Sequence, residues 1–226
     1  MPNHVTNTIR FNGSKKDVER IMAFVKSDES EFDFNNIIPM PEELGVESGS
    51  RGEDGLVAYK EYLRTGIKPK EITNKFGYKR EIDDEAFELG KRYYENIEKY
   101  GCTTWYDWCW SNWGTKWNAY DVYVGDGEVT FNTAWNAPEA VILKLSELFP
   151  DVEIEHDYAD EDIGYNCGKL TYIDGAQYDD TDFEQGSDEA IRFACELTGY
   201  DYDEYMEDLR ECYADEGNEE EASDAL

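Results

Sequence analysis

The chain has 226 residues, enough for one large domain or for one domain with a small appendage. Its net charge of −32 disfavours adsorption to DNA or to anionic lipid, and we expect neither as a direct partner. Aromatic residues make up 15% of the chain, too many for a disordered acidic protein, and no run of about 18 apolar residues predicts a membrane span.

The first hundred residues predict a strand, a helix and a long helical insertion. Val5, Ile9 and Phe11 alternate within a strand at 4–12. Ser14 is a good N-cap for a helix that runs to about Ser27. Farther along we expect an apolar loop at 32–41, a mobile Gly- and Ser-rich loop at 45–56, a short helix at 57–64 and a longer helix at 83–100.

Residues 102–120 form an aromatic centre that holds five of the six tryptophans. One interpretation is packing, in which Trp113 and Trp117 fill the interface between the insertion and the core. The alternative is a ligand platform, on which tryptophans stack bases or sugars and Lys116 adds a cation. A nucleic-acid platform would need more bases, and Lys116 is the only one between Tyr100 and Leu143.

The second half predicts a hairpin, a helix and two more strands. The hairpin strands lie at 120–125 and 128–135, joined by a Gly-Asp-Gly turn. Pro138 opens a helix that ends near Phe149. Strands follow at 152–158 and 163–173, and after Tyr178 the chain is expected to be acidic and helical, with helices at 187–198 and 201–214 and a frayed tail at 215–226.

Without the insertion at about 35–115, this order is βαββαβ. It predicts an α+β fold, a ferredoxin-like antiparallel sheet with two packed helices. The last strand is expected to pair with its predecessor as a hairpin. We expect this core and its insertion to occupy residues 1–176, and an acidic helical appendage and tail to occupy residues 177–226.

Four segments carry a family resemblance: NWGTKWNAYD at 112–121 and TFNTAWN at 130–136 followed by Pro138 are the clearest, and PNHVTN and FDFNNIIPMP near the start are similar too. They resemble a family of phage- and plasmid-borne proteins that carry the YubB ferredoxin-like domain. The resemblance covers roughly residues 1–175 and leaves out the acidic segment after residue 176. It implies the ferredoxin-like fold and a mobile-element context, and it transfers no catalytic residues.

Negative charge is concentrated in the last third of the chain. Residues 146–226 hold 28 acidic and 3 basic residues, whereas residues 1–145 hold 25 and 18. Halophilic adaptation would spread acidic residues over the whole surface, so we expect a local acidic face instead. The candidate partner-binding residues are Asp179, Asp180, Asp182, Glu184, Asp188, Glu189, Glu196, Asp201, Asp203, Glu204, Glu207, Asp208 and Glu211.

No spacing of residues identifies a catalytic, metal or cofactor site. The chain has no GxSxG, no P-loop and no GxGxxG before a helix. An EF-hand beginning at Asp201 would place Met206 and Cys212 where Gly and Glu are needed. The five cysteines form no CxxC pair, which favours reduced thiols in a cytosol. The start of the chain lacks the basic and apolar regions of a secretory signal.

These features favour a non-enzymatic function. The hypothesis is a phage or plasmid protein in the host cytoplasm that inhibits a basic nucleic-acid-binding complex, such as a CRISPR effector or a restriction enzyme, by presenting carboxylates where phosphates would lie. One alternative is a small-ligand or nucleotide-handling protein or enzyme that uses the aromatic centre. Another is an accessory protein whose acidic surface is only solubilising.

Overall fold

A computed structural model describes residues 3–125 and 127–211, except for the side chains of Asp179 and Asp182. The strands are β1 (His4–Asn12), β2 (Glu71–Thr73), β3 (Lys79–Glu81), β4 (Tyr120–Val124), β5 (Glu128–Ala134), β6 (Glu153–Asp160), β7 (Cys167–Ile173) and β8 (Ala176–Asp182). The helices are α1 (Lys15–Val25), α2 (Ser50–Thr65), α3 (Asp84–Tyr100), α4 (Trp105–Asn112), α5 (Glu139–Leu148) and α6 (Asp188–Thr198). Residues 202–211 are also helical.

The main sheet has the strand order β4-β5-β1-β6-β7-β8, and every neighbouring pair is antiparallel. The unit β1-α1-β4-β5-α5-β6 supplies its first four strands, which is the βαββαβ pattern of a ferredoxin-like domain. The predicted fold is therefore confirmed. The strand expected at 163–173 begins at Cys167 and pairs with β6 as a hairpin, as predicted.

The core lies between one face of the sheet and α1, α4 and α5. Side chains alternate along each strand, so that Ile9, Phe131 and Ile154 face the helices. Ile21 of α1 and Leu145 of α5 complete this layer and are fully buried. Ser14 caps α1 through its side chain, as the sequence predicted.

The insertion between α1 and β4 contains a helical hairpin, α2 with α3, and a small two-stranded sheet, β2 with β3. The mobile loop predicted at 45–56 is wrong for residues 50–56, which are the first two turns of α2. Gly52 and Gly55 lower helix propensity, but they let α2 approach α3 closely: a Cβ on Gly55 would lie 1.9 Å from the carbonyl oxygen of Ala86. Close packing of the two helix backbones thus compensates for the low helix propensity of these glycines.

The segment after β7 does not become helical at once. Residues 176–182 form β8, which extends the sheet beyond β7, so the helical character expected from Tyr178 onward is wrong for 178–182. The reason is tertiary: β7 offers an unpaired edge whose backbone groups β8 satisfies. The helices expected next are present as α6 and residues 202–211, whereas residues 212–214 of the second helix and the tail at 215–226 lie outside the described residues. Within the described residues, no helix is long and apolar enough to span a membrane.

Candidate functional site

The acidic segment is anchored by α6, which lies on the face of the sheet opposite α1 and α5. Ala159 of β6 and Cys167 of β7 point to this second face and pack with Ala190, Ala194 and Cys195 of α6. This apolar contact places α6 on the second face of the sheet.

Phe193 strengthens the contact between α6 and the sheet. It stacks on Phe183 with ring centroids 4.8 Å apart, and the Lys169 ammonium of β7 lies 4.8 Å from its ring centroid. Helix α6 therefore has a structural role, because it covers apolar surface of the sheet in addition to carrying charge.

The 202–211 helix is joined to α6 through Tyr202. The Tyr202 hydroxyl donates a hydrogen bond to Asp188, and the Arg192 guanidinium lies 3.7 Å from the Tyr202 ring centroid. Tyr205 and Met206 pack with Tyr202 against the α6 cluster. Asp201 caps this helix by accepting a hydrogen bond from the backbone N–H of Glu204 at 3.0 Å.

The outward side of these two helices carries most of the predicted partner-binding carboxylates. Tyr202, Tyr205, Met206 and Leu209 form the inner, half-buried side of the 202–211 helix. We call the exposed carboxylates of the two helices the acidic ridge; its members are Asp188, Glu189, Glu196, Asp203, Glu204, Glu207, Asp208 and Glu211. Helical spacing brings the last five onto one face.

Only one member of the acidic ridge is neutralised by an ion pair in the described part of the chain. Asp188 accepts from Tyr202 and pairs with Arg192 at 2.7 Å, and these hydrogen bonds hold its pKa below the usual range. The same pair raises the pKa of Arg192. The remaining seven carboxylates of the ridge have no ion pair among the described residues.

The other five predicted residues lie outside the ridge. Asp179, Asp180 and Asp182 belong to β8, the edge strand of the sheet, and the side chain of Asp180 is exposed. Glu184 is exposed in the connection from β8 to α6, and Asp201 is the cap of the 202–211 helix. None of these residues is part of the row of carboxylates on the two helices.

A further group of carboxylates, missed by sequence reasoning, faces the same side as α6. Glu153, Glu155 and Asp157 alternate with the core residues of β6 and point to the second face of the sheet. Tyr178 donates a hydrogen bond to Glu153, which lowers the pKa of that carboxyl. Arg10 pairs with Asp157 at 2.7 Å and with Glu128 at 3.3 Å. The sequence shows the alternation of acidic and apolar residues along β6. It does not show on which face of the sheet α6 packs.

The aromatic centre contributes to the core. Trp108 and Trp113 are buried and meet edge to face, and the Trp113 indole N–H donates to the carbonyl oxygen of Ile38 at 2.9 Å. Trp117 is half-buried, with the Lys116 ammonium 4.6 Å from its ring centroid. Burial of Trp113 leaves no open platform formed by Trp113 and Trp117 together.

The described cysteines and histidines offer no assembled metal site. Cys102, Cys109 and Cys195 are free thiols, and burial raises the pKa of Cys109 to about 12. Cys212 lies outside the described residues. No group of three or more His, Cys, Asp or Glu side chains in the described residues is arranged to hold a metal ion.

Comparison with known proteins gives one family and one solved structure. A family model described as the ferredoxin-like domain in Api92-like protein matches residues 112–224, a range that includes the acidic ridge. The crystal structure of a protein api92 from Yersinia pseudotuberculosis is similar at 13% identity and a TM-score of 0.43, covering 83% of this chain and all of that one. No curated protein matches.

Proposed function

This chain belongs to the family of Api92-like proteins defined by that ferredoxin-like domain. We propose that it uses the acidic ridge to bind a basic, nucleic-acid-binding protein, without catalysing a reaction. The observation that supports this proposal most directly is the one-sided placement of unpaired carboxylates on two packed helices. The family match covers residues 112–224, so the positions of the ridge lie within the matched range.

The charge density of the 202–211 helix is comparable to that of a single nucleic-acid strand. Residues 203–211 span about 12 Å at 1.5 Å per residue and carry five exposed carboxylates and the guanidinium of Arg210, a net of about one negative charge per 3 Å. Duplex DNA carries about one negative charge per 1.7 Å of its axis, and each of its strands about one per 3.4 Å. A channel of Lys and Arg built for phosphates would accept such a row, with fast and salt-sensitive association.

The target in this proposal is a host defence complex, such as a CRISPR effector or a restriction enzyme, in the host cytoplasm. The resemblance to phage- and plasmid-borne YubB-domain proteins motivates this choice. The alternative of a merely solubilising surface is tested by charge reversal. Truncation after Tyr178 would be a poor test because it also removes α6 from the apolar surface of the sheet.

The test is competition with labelled duplex DNA for purified CRISPR effectors and restriction enzymes. We expect the protein to displace DNA at about 0.05 M NaCl and to lose at least about tenfold in apparent affinity at 0.5 M, because released counterions drive the association. Changing Asp203, Glu204, Glu207 and Asp208 together to Lys should abolish displacement.

The matched control changes Glu29, Glu81, Glu88 and Glu98 to Lys. These four residues are exposed, have no ion pair among the described residues and lie outside the ridge, so the net charge changes equally. We expect this control to retain most of the competing activity. Binding that ignores 0.5 M NaCl, or that survives reversal of the ridge, would refute the proposal.

A further inference from the structure

A groove of about 460 Å³ lies on the other side of the molecule, between the side of α5 and strands β6, β7 and β8. Its polar lining consists of Asn136, Glu139, Tyr158, Asn166, Tyr172 and Gln177. Small and apolar side chains line the rest, which leaves room for a small molecule. The groove is separate from the acidic ridge, because α5 and α6 cover opposite faces of the sheet.

Tyr172 lines the groove and is only 1% exposed. Its hydroxyl has no hydrogen-bond partner among the described residues. A buried hydroxyl without a partner costs about 1–3 kcal/mol, and native structures rarely leave such a group unsatisfied. Burial raises the pKa of Tyr172, so the hydroxyl keeps its proton. A polar ligand in the groove would supply the partner that this hydroxyl lacks among the described residues.

The side-chain amides of the groove direct their N–H groups to the protein. Asn136 donates to the carbonyl oxygen of Gly114 at 3.4 Å, and Gln177 donates to Asp180 at 3.5 Å. Asn166 donates to the Trp135 carbonyl at 3.1 Å and to Asp160 at 3.0 Å. Each amide oxygen is left as an acceptor, because no described residue donates to it. The groove therefore offers acceptors to a ligand that brings donors.

Among the described residues that line the groove, Glu139 supplies the one carboxylate. No Lys or Arg lines the groove or pairs with Glu139 in the described part of the chain. Partial burial raises the pKa of Glu139, which is the result expected for a carboxylate that lacks a cation. A positively charged ligand would stabilise its ionised form.

The backbone at the rim is held in an unusual conformation. Trp135 has φ of 75° and Asn166 has φ of 44°, values that non-glycine residues seldom adopt. The hydrogen bond from Asn166 to the Trp135 carbonyl joins these two residues. Such strain persists where the surrounding structure enforces it, and it is frequent at ligand sites.

From these observations we propose that the groove binds a small primary alkylamine. One N–H of its ammonium group pairs with Glu139, and the other two are shared among the Tyr172 hydroxyl oxygen and the amide oxygens of Asn136, Asn166 and Gln177. The tyrosine rings of the groove suit a cation as well. A free diamine and a lysine side chain share this head group, and the experiment distinguishes them. This proposal does not depend on the partner of the acidic ridge.

The experiment is calorimetric titration of the full chain at about 0.15 M NaCl with three probes: putrescine, its neutral analogue butane-1,4-diol, and Nα-acetyl-lysine methylamide. We expect putrescine to bind at least about tenfold more tightly than the diol, because only the amine can pair with the carboxylate. Stronger binding of the lysine derivative than of putrescine would support the amine site and assign it to a side chain of a partner.

Two variants and one control locate the binding site. Glu139→Gln keeps the shape of the side chain and should weaken putrescine binding by at least about tenfold. Tyr172→Phe should weaken it several-fold and leave the far-UV circular dichroism unchanged. Glu196→Gln removes one charge from the ridge and should change the affinity less than about twofold.

Equal binding of the diol and putrescine would overturn the proposal. Unchanged affinity of Glu139→Gln for putrescine would also overturn it. So would a loss of affinity in Glu196→Gln as large as that in Glu139→Gln, because the amine would then be attracted only by the overall negative charge.

Discussion

The buried histidine of β6 shows how a single residue can couple folding to pH. His156 is fully buried, and its Nε2 lies 3.0 Å from Oδ1 of Asn7. The Asn7 amide N–H group donates to Val5 and Thr133, so its oxygen accepts and Nε2 of His156 carries the proton. Nδ1 has no partner among the described residues. A second proton would therefore place an uncompensated charge in the core.

Burial lowers the pKa of His156 to about 3, below its usual value of 6.5. The unfolded chain takes up a proton below about pH 6.5 and the folded chain does not, so stability falls as pH falls from about 6.5 towards 3. At pH 5 the loss from this residue is about 2 kcal/mol relative to neutral pH.

Urea unfolding at pH 7 and pH 5 checks this prediction. The wild-type chain should lose about 2 kcal/mol more between the two pH values than His156→Phe does, because phenylalanine fills the same space without titrating. Protonation of surface carboxylates lowers the free energy of unfolding equally in both proteins. It therefore cancels when the loss in one protein is subtracted from the loss in the other. Equal losses would show that His156 is not the group responsible.

At the scale of elements, the insertion depends on the close contact between α2 and α3. Gly55 and Gly90 meet at this contact, and a Cβ on Gly90 would lie 1.9 Å from the backbone of Gly55. Behind them a small separate core forms around Ala58, Ile72 and Phe87. No flexible side chain can move aside at this point, because the clash is with backbone.

We therefore expect Gly55→Ala to destabilise the insertion by about 3 kcal/mol, the upper part of the usual range for overpacking. Gly49→Ala is the control, since open space surrounds that position and its backbone is extended. Hydrogen exchange of α2 and α3 measures the effect, and it should rise in Gly55→Ala while β1 and β6 stay protected. Unchanged exchange in Gly55→Ala would contradict the close contact.

At the scale of the whole molecule, the net charge of −32 opposes compaction. Sixteen ion pairs among the described residues link bases to acids, and most of them lie between β1 and α5, away from the ridge. The repulsion is thus concentrated on the side of α6, where few bases are present.

Added salt should therefore stabilise the fold. We expect the free energy of unfolding to rise by on the order of 1 kcal/mol between about 0.05 and 0.5 M NaCl, because screening weakens the repulsion. The gain should be smaller in the four-lysine variant of the ridge than in the control at Glu29, Glu81, Glu88 and Glu98, although both have the same net charge. Equal gains in the two variants would mean that the charge acts uniformly over the surface.

The predicted secondary structure was most accurate where a local signal and the tertiary structure agree. The alternation of Val5, Ile9 and Phe11 and the cap at Ser14 were sufficient for β1 and α1. β8 was missed because AQYDDTD has little strand propensity and pairs only where β7 offers an edge. The start of α2 was missed because glycine is a poor helix former unless it lies against another helix.

The sequence by itself determined the ferredoxin-like order of elements and the concentration of acidic residues, since both depend on periodicity and composition along the chain. Only the tertiary structure decided which side the charge occupies and which polar groups meet at the groove. Those features depend on contacts between residues distant in sequence: Phe193 with Lys169 positions the ridge, and Glu139 shares a groove with Tyr172 because α5 packs across β7. A local pattern records which face of an element is apolar, but not the neighbour that covers it.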